Sequence, residues 1–199
     1  KSDSKNIKIL SEKTKPVDVI LVLDQSGSMT ETLSSNRKTK RDALVECAND
    51  FVNEIYENAV ATGAQHRVAV VGFSYSDYNG GNYKNTGILA TNNGSSVNYK
   101  SLKSSHYASA LIPVVAANGI NANITKGINS VVADGATSAH LGLEMANNIF
   151  AVTAKEAGRE RIVLFITDGT PTSWGEETDL VKTTAAKAIT EAYELKNSH

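Results

Sequence analysis

The 199-residue chain has one cysteine, three prolines, one tryptophan and no excess of either charge. The lone Cys47 excludes an internal disulfide framework and a thiolate metal cluster. It lies in "DALVECANDFVNEIYENAV" among apolar residues at helical spacing, so it is expected to be a buried, inert thiol. A formal net charge of -1 gives no electrostatic case for nucleic acid or for an anionic membrane surface. No apolar run approaches the roughly 20 residues that a membrane-crossing helix needs, and membrane insertion is not expected. The GxSxG elbow, the GxxxxGK[ST] phosphate loop and the HExxH pair are all missing. Asp24 is not followed two positions on by a second aspartate, and no histidine sits in a motif that would make it a general base. An enzyme is therefore not expected.

What the chain does contain is a rhythm. The segments 17–23, 67–74 and 161–167 are almost wholly apolar, the pattern of strands covered on both faces. Helices are expected at about 39–61, 138–157 and 178–195. The first carries the stripe Leu44, Ala48, Phe51, Ile55 and Ala59, with Val45, Val52 and Tyr56 beside it. The second carries Leu141, Met145, Ile149 and Val152, and the third Val181, Ala185, Ala188 and Tyr193. Gly63 and Gly158 are the expected stops of the first two. Strands alternating with amphipathic helices predict one α/β domain, a doubly wound, mostly parallel sheet with helices on both faces.

Between about 75 and 130 the texture changes to Asn, Gly, Ser and Tyr, with turn signals at Asn79-Gly80, Asn93-Gly94 and Asn118-Gly119. A short strand is expected in "TGILAT" and a short helix, interrupted by Pro113, in "YASALIPVVAA". The rest is expected as an insertion of surface loops or hairpins standing off the sheet, adding little to the core. Asn93-Gly94-Ser95 and Asn123-Ile124-Thr125 match the glycosylation sequon.

The chemistry gathers where strands end. In "VDVILVLDQSGSMTE", residues 17–31, Asp24, Ser26 and Ser28 alternate directly after an apolar strand. A turn can aim all three oxygens at one point, although a capped turn leading to a helix would use the same residues. Asp168 closes the strand "RIVLFIT", and Thr137 in "DGATSA" opens the helix before it. Ligands of open parallel sheets bind beyond the carboxyl ends of the strands, so the three loops are expected to converge there. Two carboxylates and three hydroxyls, with no His or Cys, favour magnesium, calcium or manganese.

On these residues the chain resembles the von Willebrand factor A domain with its metal-ion-dependent adhesion site. The resemblance is carried by "DQSGS" after "VDVILVL", by the threonine loop and by "LFITDG", and it covers 16–73 and 131–199. It implies that Ser26 and Ser28 ligate a divalent cation, above all Mg2+, through their hydroxyls, with Thr137 joining directly in the ligand-competent state. It implies that Asp24 and Asp168 act mainly through water, and that the ion seeks a carboxylate from a partner. Ala136 departs from the pattern, since family members often have a second glycine there. His140 and Trp174 are the candidates for the ligand rim. His140 reads rather as a solvated helix residue and Trp174 rather as a loop residue packed on its neighbours. Arg37, Lys38, Lys40 and Arg41 form a basic cluster that reads as a solvated segment.

The functional expectation is a metal-dependent adhesion module, extracellular at a bacterial cell wall or pilus tip, that captures a host or matrix protein. The insertion resembles the arms of A domains in Gram-positive surface and pilus-tip adhesins. The alternative is an intracellular A domain that partners an ATPase, as in chelatases; the polar, tyrosine-bearing insertion and low charge lean against it. Residues 1–15, without an initiator Met or a signal-peptide core, are expected to be an N-terminal extension of a processed or excised piece. A domains normally continue past the last helix with further strands and a helix. The expectation is therefore a continuation, or a complementing chain, pairing along 162–167.

Overall fold

The computed structural model describes residues 14–34, 37–75, 83–169 and 178–198, with no account of the side chains of 178–181. In chain order the elements are β1 (Val17–Asp24), α1 (Lys40–Thr62), β2 (Arg67–Phe73), β3 (Gly87–Ile88), β4 (Val97–Asn98), α2 (Ser104–Ala108) and β5 (Ile112–Pro113). They continue with β6 (Val115–Ala116), β7 (Gly119–Ile120), α3 (Ala122–Asn129), α4 (Ala139–Val152), β8 (Glu160–Ile166) and α5 (Thr178–Ser198). The main sheet runs β4-β3-β2-β1-β8, with β5 also on β2. β1 pairs in parallel with β2 on one side and with β8 on the other, as the apolar segments predict.

Seven of the eight residues of β1 are buried, and its side chains alternate between two cores. Val19, Leu21 and Leu23 pack with Leu44, Ala48 and Val52 of α1 and with Ile124 and Ile128 of α3. Ile20 and Val22 pack with Met145, Ala146 and Ile149 of α4. The sheet is thus covered on both faces, and the chain is doubly wound. From β1 it steps to β2 through α1, then returns across β1 through α4 to β8. The carboxyl end of β1 is the point where the winding reverses, the place where open α/β sheets hold ligands.

Local chemistry explains the helix ends. The Thr39 hydroxyl accepts from the Asp42 N–H at 3.1 Å to cap α1, and Gly63 stops it in the left-handed region at φ 72°. α4 ends at Val152, short of the expected 157. There the Arg161 guanidinium donates to the carbonyls of Phe150 (3.3 Å) and Thr153 (2.6 Å), taking up acceptors that a further turn would have used.

Four expectations need correction. The first concerns 83–130, which is not a set of loops standing off the sheet. β3 and β5 pair antiparallel with β2, and Ile88, Ala90, Ile112 and Val114 are buried at 0–2% exposure. The strand expected in "TGILAT" is present as β3, but the two-residue β5 has no room for a period and gave no signal. The second is "YASALIPVVAA", which is not a helix: α2 ends at Ala108, and Pro113 sits opposite Arg67 at a sheet edge, where a missing N–H is tolerated. The third is Cys47, which is exposed, because it lies roughly a quarter turn off the centre of the α1 stripe. The fourth is Tyr193, which is 69% exposed. The face of α5 toward α4 instead runs through Ala188, Glu191 and Leu195; the Asn147 amide donates to the Glu191 carboxylate at 2.6 Å. Among the described residues β8 pairs with β1 alone, and its Ile162 is 41% exposed.

Asp18, the one charged residue in β1 before its terminal Asp24, is wholly buried. Arg67 grips it with two bonds of 2.7 Å, and Arg159 adds a third of 3.0 Å. A buried carboxylate is tolerable only when paired in this way. Arg67→Met is expected to lower stability by about 3 kcal/mol, and Asp18→Asn in that background to recover part of it, by urea unfolding. Ile112→Ala is expected to cost about 2–4 kcal/mol in the same assay, as a core residue would.

Candidate metal centre

The strand-to-helix turn after β1 is built around Asp24. Its side chain is fully buried: one oxygen accepts from the Ser26 N–H at 2.8 Å and the other from the Thr167 hydroxyl at 2.6 Å. Asp24 therefore ties the ends of β1 and β8 together and fixes the turn that brings Ser26 and Ser28 to Asp168. Ser28 donates to Asp168 at 2.8 Å, and the two serine hydroxyls lie 3.0 Å apart. Because the Ser28 proton goes to Asp168, Ser26 is the donor to Ser28. Both hydroxyl protons run toward the carboxylate, and lone pairs remain on both oxygens.

The threonine loop is stitched onto this turn. The Gly27 N–H donates to the Gly135 carbonyl at 2.8 Å. The Asp134 N–H donates to the Gln25 carbonyl, and the Val132 N–H to the Gln25 side-chain oxygen at 2.9 Å. Ser74, at the end of β2, donates to the carbonyls of Asp134 (2.6 Å) and Ala136 (3.2 Å). Gly135 adopts φ 106°, and a Cβ there would stand 2.6 Å from the Ser74 hydroxyl, so this position needs glycine. Ala136 is not among the residues with positive φ, so an alanine there carries no backbone strain.

These loops enclose a cavity of about 330 Å³ lined by Ser26, Ser28, Glu31, Lys40, Gly135, Thr137, Asp168 and Gly169. The structure thus brings together four of the five expected residues at one cavity, with Asp24 directly behind them. The donor set fits a hard divalent cation, with three hydroxyl oxygens and the carboxylates of Asp168 and Glu31 at the wall and no His or Cys among the lining residues. Among the described residues no group of three or more His, Cys, Asp or Glu side chains converges, so a cation here would depend on the hydroxyls.

Lys40 was not read as part of this region, yet its ammonium reaches Asp168 at 2.7 Å and Glu31 at 2.6 Å. Burial disfavours the Asp168 charge, but the Lys40 ammonium and the Ser28 hydroxyl outweigh it and hold the carboxyl below its ordinary value. Asp168, and after it Glu31, raise the Lys40 ammonium above its own. The basic cluster is therefore not simply solvated: Arg41 likewise donates to the carbonyls of Val131 and Asn129, beneath the threonine loop. Gln25, 1% exposed, is a second residue that the sequence reading missed. A capping-type turn after a strand was the available signal, but nothing local marked the partners 107 residues away.

His140 does not line the cavity. It is partly buried, its Nδ1 has no partner among the described residues, and burial, followed by the nearby Lys187 charge, pushes its pKa down to about 4. The expectation of a solvated helix residue is thereby corrected. Trp174 lies outside the described residues.

No protein-family model matches the chain, and no curated protein does. Among solved structures it is similar to the vWF domain of the type V pili tip protein Mfa5 from Porphyromonas gingivalis, at 20% identity and a TM-score of 0.49, covering 79% of this chain and 39% of that one. It is also similar to a von Willebrand factor type A structure from Catenulispora acidiphila, at 19% identity and 0.49, covering 90% and 31%. A third is the pilus adhesin SpaC from Lactobacillus rhamnosus GG, at 25% identity and 0.47, covering 81% and 16%. The chain thus spans less than two fifths of the length of each of these three.

The His140 environment yields a pH dependence. The unfolded imidazole takes up a proton near pH 6.5, whereas the folded one resists until about 4. Stability is therefore full above pH 6.5 and declines as the pH falls toward 4. The lowered His66 adds in the same direction. His140→Gln is expected to flatten the decline by roughly 1–2 kcal/mol, discounted for partial exposure. Urea midpoints measured at several pH values check this.

Proposed function

We propose that this chain is a ligand-binding module of the von Willebrand factor A type that works through a divalent cation, Mg2+ first and Ca2+ or Mn2+ as alternatives. The observation that carries the reading is the convergence of Ser26, Ser28, Thr137 and Asp168 on one cavity at the winding reversal, over the buried Asp24. Ser26, Ser28 and Thr137 would hold the ion, and Asp24 and Asp168 would hold its waters. A cation bound with so few protein charges supplies Lewis acidity toward an anionic oxygen. The fitting partner is therefore a carboxylate on a host or matrix protein.

Binding suits this wall better than catalysis. None of the lining residues is His or Cys, the two serines hydrogen-bond to each other and to Asp168, and Asp168 is held as a weak base by Lys40. Display outside the cell, at a cell wall or pilus tip, is part of the proposal; its support is the sequence resemblance. So is a further strand along the outer edge of β8, from a continuation or another chain.

Calorimetric titration with MgCl2 tests the site. The wild-type protein is expected to bind, and Ser26→Ala/Ser28→Ala to lose binding by a factor of about 100 or more, as loss of two direct ligands requires. Its melting temperature in EDTA is expected to stay within a few degrees. Undiminished Mg2+ affinity in the double variant would overturn the assignment. Adhesion of the wild type to immobilised matrix proteins with Mg2+, abolished by EDTA, is the expected functional counterpart.

A further inference from the structure

Lys40 occupies an unfavourable place for a cation. It is the first residue of α1, where the helix dipole is positive and an acidic side chain would be preferred. Its backbone is nonetheless fixed there: the Lys40 N–H donates to the Glu31 carbonyl at 2.9 Å, and Thr32 and Thr39 form an antiparallel bridge just before it. A residue that breaks a local rule in an ordered segment points to a role at longer range. Its two partners supply one. The ammonium bonds Asp168, whose side chain is only 9% exposed, and Glu31, which is 64% exposed.

Asp168 has two oxygens and both are taken, one by the Ser28 hydroxyl and the other by Lys40. Asp168 and Lys40 line the same cavity as the three hydroxyls. Lys40 thus stands where water on a bound cation would donate to Asp168, and its charge repels a divalent ion from the same space. Glu31 gives the ammonium a second berth that it already touches, nearer solvent.

We propose that Lys40 is an internal competitor for the cation site: it neutralises Asp168 when no metal is bound and withdraws to Glu31 when one binds. The inference rests on the proposed cation site and adds that Lys40 and Glu31 set its affinity. Lys40 then weakens the site, and Glu31 strengthens it by receiving the displaced ammonium.

The test is Mg2+ titration by calorimetry at constant ionic strength on the wild type, Lys40→Met, Lys40→Gln, Glu31→Gln and Lys40→Met/Glu31→Gln. Removing a unit charge beside a divalent ion is expected to raise affinity about tenfold or more in both Lys40 variants. Glu31→Gln alone is expected to weaken binding several-fold, and to have much less effect once Lys40 is gone. Circular dichroism confirms that each variant is folded, and the Gln substitution stands in should the Met variant not be. An affinity unchanged or lowered in folded Lys40 variants overturns the competitor role while leaving the cation site in place. Absence of Mg2+ binding in the wild type and in both Lys40 variants overturns the site and the inference together.

Discussion

The arrangement at the top of the sheet depends on a carboxylate that water does not reach. Asp24 ends the central strand at 0% exposure, with two hydrogen-bond donors to compensate its charge. Burying a carboxylate is costly, and two neutral donors offset only part of that cost. The geometry that results is specific. One oxygen fixes the turn that brings Ser28 and the buried Ser26 to the cavity wall, and the other fixes Thr167, next to Asp168. A buried carboxylate thereby lies directly beneath the hydroxyls of the proposed cation site.

The opposite end of the same strand solves the same problem in a different way. Asp18 is as deeply buried as Asp24, but two guanidinium groups, from Arg67 and Arg159, meet it directly. One strand therefore carries a fully paired charge at its start and an incompletely paired charge at its end. The paired end contributes to holding β1, β2 and the approach to β8 together. The other lies beneath the proposed cation site. The contrast is one of pairing: guanidinium groups meet Asp18, and only neutral donors meet Asp24.

How much of this could be read in the residues depended on distance along the chain. β1, β2, β8 and the helices packed on them were legible from apolar runs and stripes, and seven residues of eight in β1 are buried, but β8, read as covered on both faces, has no fully buried residue. The oxygen-bearing residues were legible because strand ends dictate where they go. Of the segment from 83 to 130 only β3, in "TGILAT", was legible, since two-residue strands such as Ile112–Pro113 have no period and owe their burial to β2. Cys47 was misread because its neighbours in sequence are apolar while its place on the helix is off the stripe. Lys40 and Gln25 were invisible for a related reason. Their meaning lies in Asp168 and Val132, more than a hundred residues away, and no local pattern encodes such a pairing.

Gln25 also determines how the threonine loop can behave. Its backbone carbonyl holds the Asp134 N–H, its side-chain oxygen holds the Val132 N–H, and its amide donates to the Asn85 carbonyl, while Gly27 grips Gly135 close by. Sliding Thr137 by even a fraction of an ångström loads several of these bonds at once, because they share one short stretch of chain. Small excursions are therefore resisted stiffly, and a large one must break the set together. Rearrangement of this loop would be a cooperative, two-position event, with a threshold in place of a graded response.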